Sequence, residues 1–202
     1  MLDIRAILLK STDIKLELSK NFYEEITQEF QEKKSILEKK YYEEEVIEES
    51  FENILNGLVD DYQEQEEFEN LASMLIISRN YFILEHHLKL LVGNLLKKEG
   101  KLINENYKKW GIDDVSNFFK KREIDISEID GYKECNVLRL LVNDIKHNGA
   151  MVSKRLAKAK GEVLEERELK EIKVSHDEIN KYSDVIKLFY ANLIGCLDKY
   201  FI

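Results

Sequence analysis

Apolar residues recur every three or four positions along most of the chain, and this spacing predicts helices. The first predicted helix covers residues 12–56, as one element or with a break, and its apolar stripe continues as far as Tyr41. The stripe begins with residues that lie four apart: Ile14, Leu18, Phe22, Ile26 and Phe30. Since the opposite face is highly charged, this helix needs a partner along one side only. Asn56-Gly57 is the first interruption that the sequence suggests.

A second helix is predicted from Asp60 to Lys98, and its second half is apolar on nearly every side. A helix of this kind belongs at the centre of a bundle. A further helix is predicted over residues 127–147, because Asn148-Gly149 then ends the apolar pattern. The last helix is predicted to begin at the Ser-x-x-Glu capping box of Ser175 and to run to the C-terminus.

The composition favours the same fold class. The chain of 202 residues contains no proline and only eight glycines, so the residues that interrupt helices are scarce. We predict an all-α protein with an up-down bundle of four to five helices. A long N-terminal helix or arm at residues 1–60 is expected to precede the bundle domain at residues 61–202.

Charge is segregated along the chain, whose formal net charge is −9. No lysine or arginine occurs between Tyr41 and Ser78, a stretch rich in glutamate and aspartate. Between residues 146 and 160 there is no acid, and five cations occur: Lys146, Lys154, Arg155, Lys158 and Lys160. Such local asymmetry bears on the choice of partner more than the net charge does.

Several kinds of chemistry are excluded by missing motifs. The sequence has neither a glycine-rich phosphate loop nor a pair of cysteines at metal-ligand spacing, so we expect no cofactor and no metal. His86 and His87 point about 100° apart on a helix, which predicts one buried and one exposed histidine rather than a metal site. The N-terminal apolar stretch is too short for a membrane span or a signal peptide, so a cytoplasmic protein without a membrane partner is expected.

One polar strip interrupts an otherwise apolar helix, in the sequence RLLVNDIKHN at residues 139–148. Arg139, Asn143 and His147 lie four residues apart and therefore share one side of the helix. Burying such groups without partners would be unfavourable by a few kcal/mol each. We therefore expect them to contact a ligand or another side chain, and Glu85 on the apolar helix is the internal partner that the sequence offers.

Four features together resemble the HEPN superfamily, and the resemblance covers about residues 70–200. They are the apolar segment YFILEHHLKLL, the W-G-I at residues 110–112, the double phenylalanine at 118–119 and the helix end NDIKHNG. HEPN domains are small helical bundles of prokaryotic toxin–antitoxin, abortive-infection and related defence proteins. Many are metal-independent endoribonucleases that act as dimers and carry an arginine and a histidine separated by four to six intervening residues, often with an asparagine directly after the arginine.

The resemblance implies roles for particular residues. His147 matches the signature histidine and Asn143 the polar residue after the arginine, whereas Val142 occupies the arginine position and Arg139 is the nearest substitute. In an RNA transesterification His147 would act as general acid or base, and Arg139 or Lys146 would stabilise charge on the phosphate. Asn143 would orient the ribose or phosphate, with Glu85 and Asn148 in support. The RNA backbone would be held by the remaining cations: Lys154, Arg155, Lys158 and Lys160.

Two alternatives stay open beside this ribonuclease. A catalytically silent HEPN-like protein would bind RNA or a cognate protein as a regulatory or structural subunit. In a further variant the acidic segment from Tyr41 to Ser78 would bind a basic partner. Either form is expected to be a homodimer that associates through the apolar stripe at residues 14–41.

Overall fold

Helices account for nearly all regular structure in the computed structural model, which describes residues 4–43, 48–101, 105–165 and 169–197. The helices are α1 (Ile4–Glu43), α2 (Glu48–Lys98), α3 (Ile112–Lys120), α4 (Tyr132–His147), α5 (Lys154–Lys160) and α6 (His176–Cys196). Short 3₁₀ turns cover Glu105–Lys109 and Ile126–Glu128. Within these ranges the only strand-like pairing is an isolated bridge between Met151 and Glu171. The predicted all-α class is confirmed.

The two long helices α1 and α2 pack against each other in antiparallel orientation. Contacts pair Thr12 with His87, Tyr23 with Ser73, and Lys34 with Glu66, so that residue numbers rise on one helix as they fall on the other. The predicted interruption at Asn56-Gly57 was wrong, because α2 begins at Glu48 and passes through both residues. One glycine lowers helix stability by only about 1 kcal/mol, which a helix of this length tolerates.

The second half of α2 is the centre of the core, as its apolar pattern predicted. Leu84, Leu88 and Leu91 are fully buried, and α1, α3, α4 and α6 all contact this helix. Two polar contacts also join α2 to α6 inside the core. The Tyr190 hydroxyl donates to the His87 carbonyl at 3.1 Å, and the Asn80 side-chain amide donates to Ser183 Oγ at 3.0 Å.

The inward face of α1 differs from the predicted stripe. Ile14, Leu18 and Phe22 are each about half exposed, whereas the buried residues follow a different register: Leu8, Thr12, Leu16, Ser19, Tyr23 and Thr27. The threonines can be buried because their hydroxyls donate to carbonyl oxygens one turn earlier, at 2.9 Å for Thr12 and 2.8 Å for Thr27. Leu8, Leu16 and Tyr23 belong to the same buried cluster as the core of α2.

The ends of α4 and α6 agree well with their sequence signals. Helix α4 ends at His147 with Asn148 as its C-terminal cap, as predicted. It begins at Tyr132 rather than at residue 127. Ser175 and Glu178 form the predicted capping box at the start of α6. No helix in the described ranges combines the length and apolar character that crossing a membrane requires.

Candidate functional site

A buried carboxylate connects the C-terminal end of α4 to the residues that begin α5. Asp144 is only 8% exposed, and its Oδ2 accepts a hydrogen bond from the Ser153 backbone N–H at 2.7 Å. Its carbonyl oxygen accepts two more, from the N–H groups of Asn148 at 3.0 Å and Ala150 at 3.3 Å. These three bonds fold the turn after α4 back onto its last turn, so α5 begins directly beside the end of α4.

Helix α5 is amphipathic and places its cations outside. Ser153 caps its first turn, because the side-chain oxygen accepts from the Leu156 N–H at 3.2 Å. Leu156 and Ala157 are buried against the rest of the protein, and α5 packs on α4. The side chains of Lys154, Arg155 and Lys158 are exposed.

The loop between α4 and α5 is also held by hydrogen bonds to the segment that precedes α6. The Val152 N–H donates to the Lys170 carbonyl and the Ile172 N–H donates to the Ala150 carbonyl, both at 2.8 Å. The Asn148 side-chain amide donates to the Met151 carbonyl at 2.7 Å. This side chain therefore shapes the turn after α4, and the supporting role in catalysis that the resemblance implies for Asn148 stays a prediction.

The two most important predicted site residues, Asn143 and His147, lie one turn apart on α4 and are both exposed. Lys146 and Asn148 lie beside them and are exposed as well. We had expected Glu85 to be their partner, and this was wrong. Its carboxylate pairs instead with Lys89, with 3.3 Å between Oε1 and Nζ. The expectation rested on burial of these two side chains. Because both face water, they keep their hydration and need no partner within the protein.

Arg139 lies apart from His147. Its Nε and Nη2 both donate to Asn136 Oδ1 at 3.0 Å, and the side chain is half-buried. It lines a small cavity together with Tyr81 and Tyr132. Eight residues of helix separate its Cα from that of His147, a rise of about 12 Å. Within one chain, the structure therefore does not bring Arg139 and His147 together at one reacting group.

The predicted RNA-binding cations divide into two kinds. Lys160 forms an ion pair with Glu178, with 3.1 Å between Nζ and Oε1. The others lie with His147 on what we call the α4–α5 cationic surface: Lys146, His147, Lys154, Arg155 and Lys158. Because Asp144 is buried and already bonded, its carboxylate is not displayed on this surface.

The cavities that we describe do not lie at His147. Of three that we describe, the largest measures about 470 Å³ and lies at the start of α6, between His176 and the glutamates of α2. The others measure about 440 and 10 Å³, and His147 lines none of the three. The α4–α5 cationic surface is thus suited to an extended polyanion that lies across it, rather than to a small molecule held in a pocket.

His86 and His87 follow the prediction that one is buried and the other exposed. His87 is buried, with Nδ1 2.6 Å from Thr12 Oγ1 and Nε2 3.2 Å from Lys15 Nζ. Burial and the Lys15 ammonium lower the pKa of His87 to about 4, so the ring is neutral at pH 7. Sequence reasoning missed this network, since Thr12 lies 75 residues away. No group of three or more His, Cys, Asp or Glu suited to a metal ion occurs among the described residues.

No family model, curated protein or solved structure matches this chain. The resemblance to HEPN domains therefore rests on the residues and motifs of the chain alone.

Proposed function

We propose that this chain is a HEPN-like helical protein of prokaryotic defence or toxin–antitoxin systems that binds RNA through its α4–α5 cationic surface. The observation that carries the proposal is the exposure of Lys146, Lys154, Arg155 and Lys158 on two helices joined by Asp144. These cations present local positive potential on a protein whose net charge is −9. RNA would be attracted to that surface through its phosphates.

The contacts expected on this surface are with phosphates. Exposed lysine and arginine side chains can neutralise backbone charge, but these line none of the three cavities described above and so have no groove there in which to read base edges. Asn143 and His147 add hydrogen-bonding groups next to the cations. Binding should therefore depend strongly on salt and weakly on sequence, as expected of a regulatory or structural subunit rather than a sequence-specific reader.

Binding is tested by fluorescence anisotropy of a labelled single-stranded RNA over a range of salt concentrations, in EDTA. The double substitution Lys154→Glu/Arg155→Glu should raise the Kd at least about tenfold and reduce the salt slope by about two, since about one unit is lost per phosphate contact. Lys120→Glu/Lys121→Glu is the matched control, because it reverses two adjacent exposed cations at the end of α3. Equal weakening by both pairs, or binding without salt dependence, would contradict the proposal.

Cleavage of the bound RNA is the second candidate function, and the exposure of Asn143 and His147 side by side favours it. His147 would take the 2′-hydroxyl proton or give a proton to the leaving oxygen, and Lys146 would stabilise charge on the phosphate. The position of Arg139, held by Asn136 and remote from His147, argues for binding ahead of cleavage.

The two candidates are separated by gel analysis of RNA incubated with the protein in EDTA. If the protein is a nuclease, fragments appear with the wild type and disappear with His147→Ala, while the anisotropy Kd changes less than threefold or so. If the wild type binds but releases no fragments, the protein binds RNA without cleaving it. Fragments that persist with His147→Ala would exclude this histidine as the catalytic group.

A further inference from the structure

A small cavity lies where α2, α3, α4 and α6 meet, and a half-buried cation lines it. The cavity measures about 10 Å³, which is room for about one water-sized group. Its polar lining comes from Tyr81 of α2 and from three residues of α4: Tyr132, Asn136 and Arg139. The rest of its wall is apolar: Leu84, Ile112, Cys135 and Phe189. The cavity can therefore admit the polar end of a ligand whose remainder stays outside.

Arg139 brings a full positive charge to this cavity, and no charge in the lining neutralises it. Its Nε and Nη2 donate to Asn136 Oδ1, a neutral acceptor, at 3.0 Å. No carboxylate in the part of the chain that the structure describes forms an ion pair with it. Burial raises the pKa of Cys135 to about 12, so the thiol is uncharged at pH 7. A cation partly removed from water favours an anionic partner, so the cavity is suited to a negatively charged group.

Two phenol hydroxyls in the same lining are free to donate. Tyr81 is only 8% exposed, and neither its hydroxyl nor that of Tyr132 hydrogen-bonds to any of the described residues. Burial raises the pKa of both, so both keep their protons at pH 7. Arg139 Nη1 is a third donor, because Asn136 engages only Nε and Nη2. Buried polar groups nearly always have a partner, so three such donors around one cavity indicate a ligand that accepts from them.

The acids near the cavity do not act as that acceptor. Glu85 pairs with Lys89, with 3.3 Å between Oε1 and Nζ. Asp113 is exposed at the start of α3, and it forms no ion pair with Arg139 within the described ranges. Both carboxylates lie near Tyr81, because their charges add to the effect of burial in raising the pKa of its hydroxyl. They therefore set the local charge without bonding to the donors of the cavity.

We propose that this cavity binds the carboxylate of an organic acid, through Arg139 Nη1 and the hydroxyls of Tyr81 and Tyr132. A carboxylate is planar and accepts charge-assisted hydrogen bonds from guanidinium and hydroxyl groups. A phosphate group is tetrahedral and bulkier, so it fits a cavity of this size less well. The carboxylate can belong to a free small acid or to the C-terminus of a polypeptide, since both offer the same group. The proposal is independent of RNA binding, because the cavity shares no residue with the α4–α5 cationic surface.

NMR titration with sodium acetate tests the proposal, at an ionic strength kept constant with sodium chloride. Backbone amides of residues 132–139 should shift and saturate, with a Kd on the order of millimolar for so small a ligand. Tyr81→Phe should raise this Kd at least about tenfold, because the lost hydroxyl bonds to a charged acceptor. Tyr182→Phe is the matched control, since Tyr182 is just as buried but lines none of the described cavities.

Charge variants test the electrostatic part of the site. Arg139→Gln should abolish saturable binding, whereas Arg155→Gln removes an exposed charge from the α4–α5 cationic surface and should change the Kd less than about twofold. Asp113→Asn should lower the Kd about two- to threefold, because it removes a nearby negative charge. Tyr81→Phe breaks no hydrogen bond between described residues, so it should keep the wild-type melting temperature. It therefore tests the site even if Arg139→Gln does not fold.

Two further probes identify the source of the carboxylate. If N-acetylalanine binds at least about tenfold more tightly than acetate, the site is assigned to a polypeptide C-terminus, and any smaller gain assigns it to a free acid. N-acetylalanine amide should not bind, because it has no carboxylate. Inorganic phosphate that binds more tightly than acetate would overturn the choice of carboxylate. Shifts that do not saturate, or an acetate Kd that Tyr81→Phe leaves unchanged, would overturn the site itself.

Discussion

Thr12 Oγ1 lies 2.6 Å from His87 Nδ1 where α1 meets α2. The Thr12 hydroxyl donates its only proton to the Leu8 carbonyl at 2.9 Å, so His87 Nδ1 must carry the proton of their shared bond. Nε2 is then free to accept from the Lys15 ammonium at 3.2 Å. Neutral His87 is fully satisfied by these partners, whereas a protonated ring would turn a second N–H toward the Lys15 cation.

A pH dependence of stability follows from this arrangement. The pKa of His87 falls from 6.5 in the unfolded chain to about 4 in the folded protein, chiefly because the ring is buried. The neutral form therefore stabilises the fold fully above pH 6.5, and this contribution is lost as the pH falls toward 4. The loss is at most about 1.4 kcal/mol per pH unit in that window. Urea unfolding at a series of pH values measures it.

Carboxylates also titrate at acidic pH, so the contribution of His87 is isolated by substitution. The pH dependence of the free energy of unfolding should become shallower in His87→Gln across this window, because glutamine cannot be protonated there. His86→Gln is the control, since His86 is exposed and next in sequence. It should keep most of the wild-type slope. A His87→Gln variant with the wild-type slope would show that His87 is not held neutral.

Asp144 is predicted to hold α5 on α4, and Asp144→Ala tests this. The substitution leaves the Ser153 N–H without the acceptor that it has at 2.7 Å, so the free energy of unfolding should fall by about 1–3 kcal/mol. RNA affinity should fall as well, because Lys154 and Arg155 are placed by this bond. Asp184→Ala, an exposed aspartate of α6, should change neither quantity appreciably. Chemical unfolding and anisotropy provide the two measurements, and unchanged stability of Asp144→Ala would refute the anchoring role.

Local signals predicted the helix class and several helix ends, because their physical cause lies within a few residues. The Ser175–Glu178 capping box and the Asn148-Gly149 stop are of this kind. The inward face of α1 was not predictable in the same way. Thr12 and Thr27 are polar by type, yet each is buried through a bond to its own helix. Counting apolar residues alone therefore selected the exposed stripe.

The candidate site shows the same distinction between local and distant causes. The cluster of cations at residues 146–160 could be read directly, and the structure keeps most of them exposed. The role of Asp144 could not be predicted from the sequence. Its partner Ser153 lies across a turn, and the shape of that turn depends on backbone hydrogen bonds to residues 170–172. Spacing predicted Arg139 beside His147, but its half-buried guanidinium is engaged by Asn136 on the same helix.

Two glycines should respond in opposite directions to alanine. Gly131, which caps α4, has φ of 89°, and a Cβ there would lie 3.0 Å from Phe189 Cβ and 3.2 Å from the Phe189 backbone nitrogen. Neither atom can move easily, so Gly131→Ala should lower the free energy of unfolding by about 2–4 kcal/mol through left-handed strain and overpacking.

Gly57 is the matched control, because it lies inside α2 with no atom within 4 Å of an added Cβ. Gly57→Ala should raise the free energy of unfolding by about 1 kcal/mol, since alanine favours helix where the backbone is already helical. Thermal unfolding should then shift by about 2–4 °C upward for this variant. The comparison also tests the continuity of α2: if the helix were interrupted at Asn56-Gly57, as local sequence alone suggests, alanine at this position would not stabilise the protein.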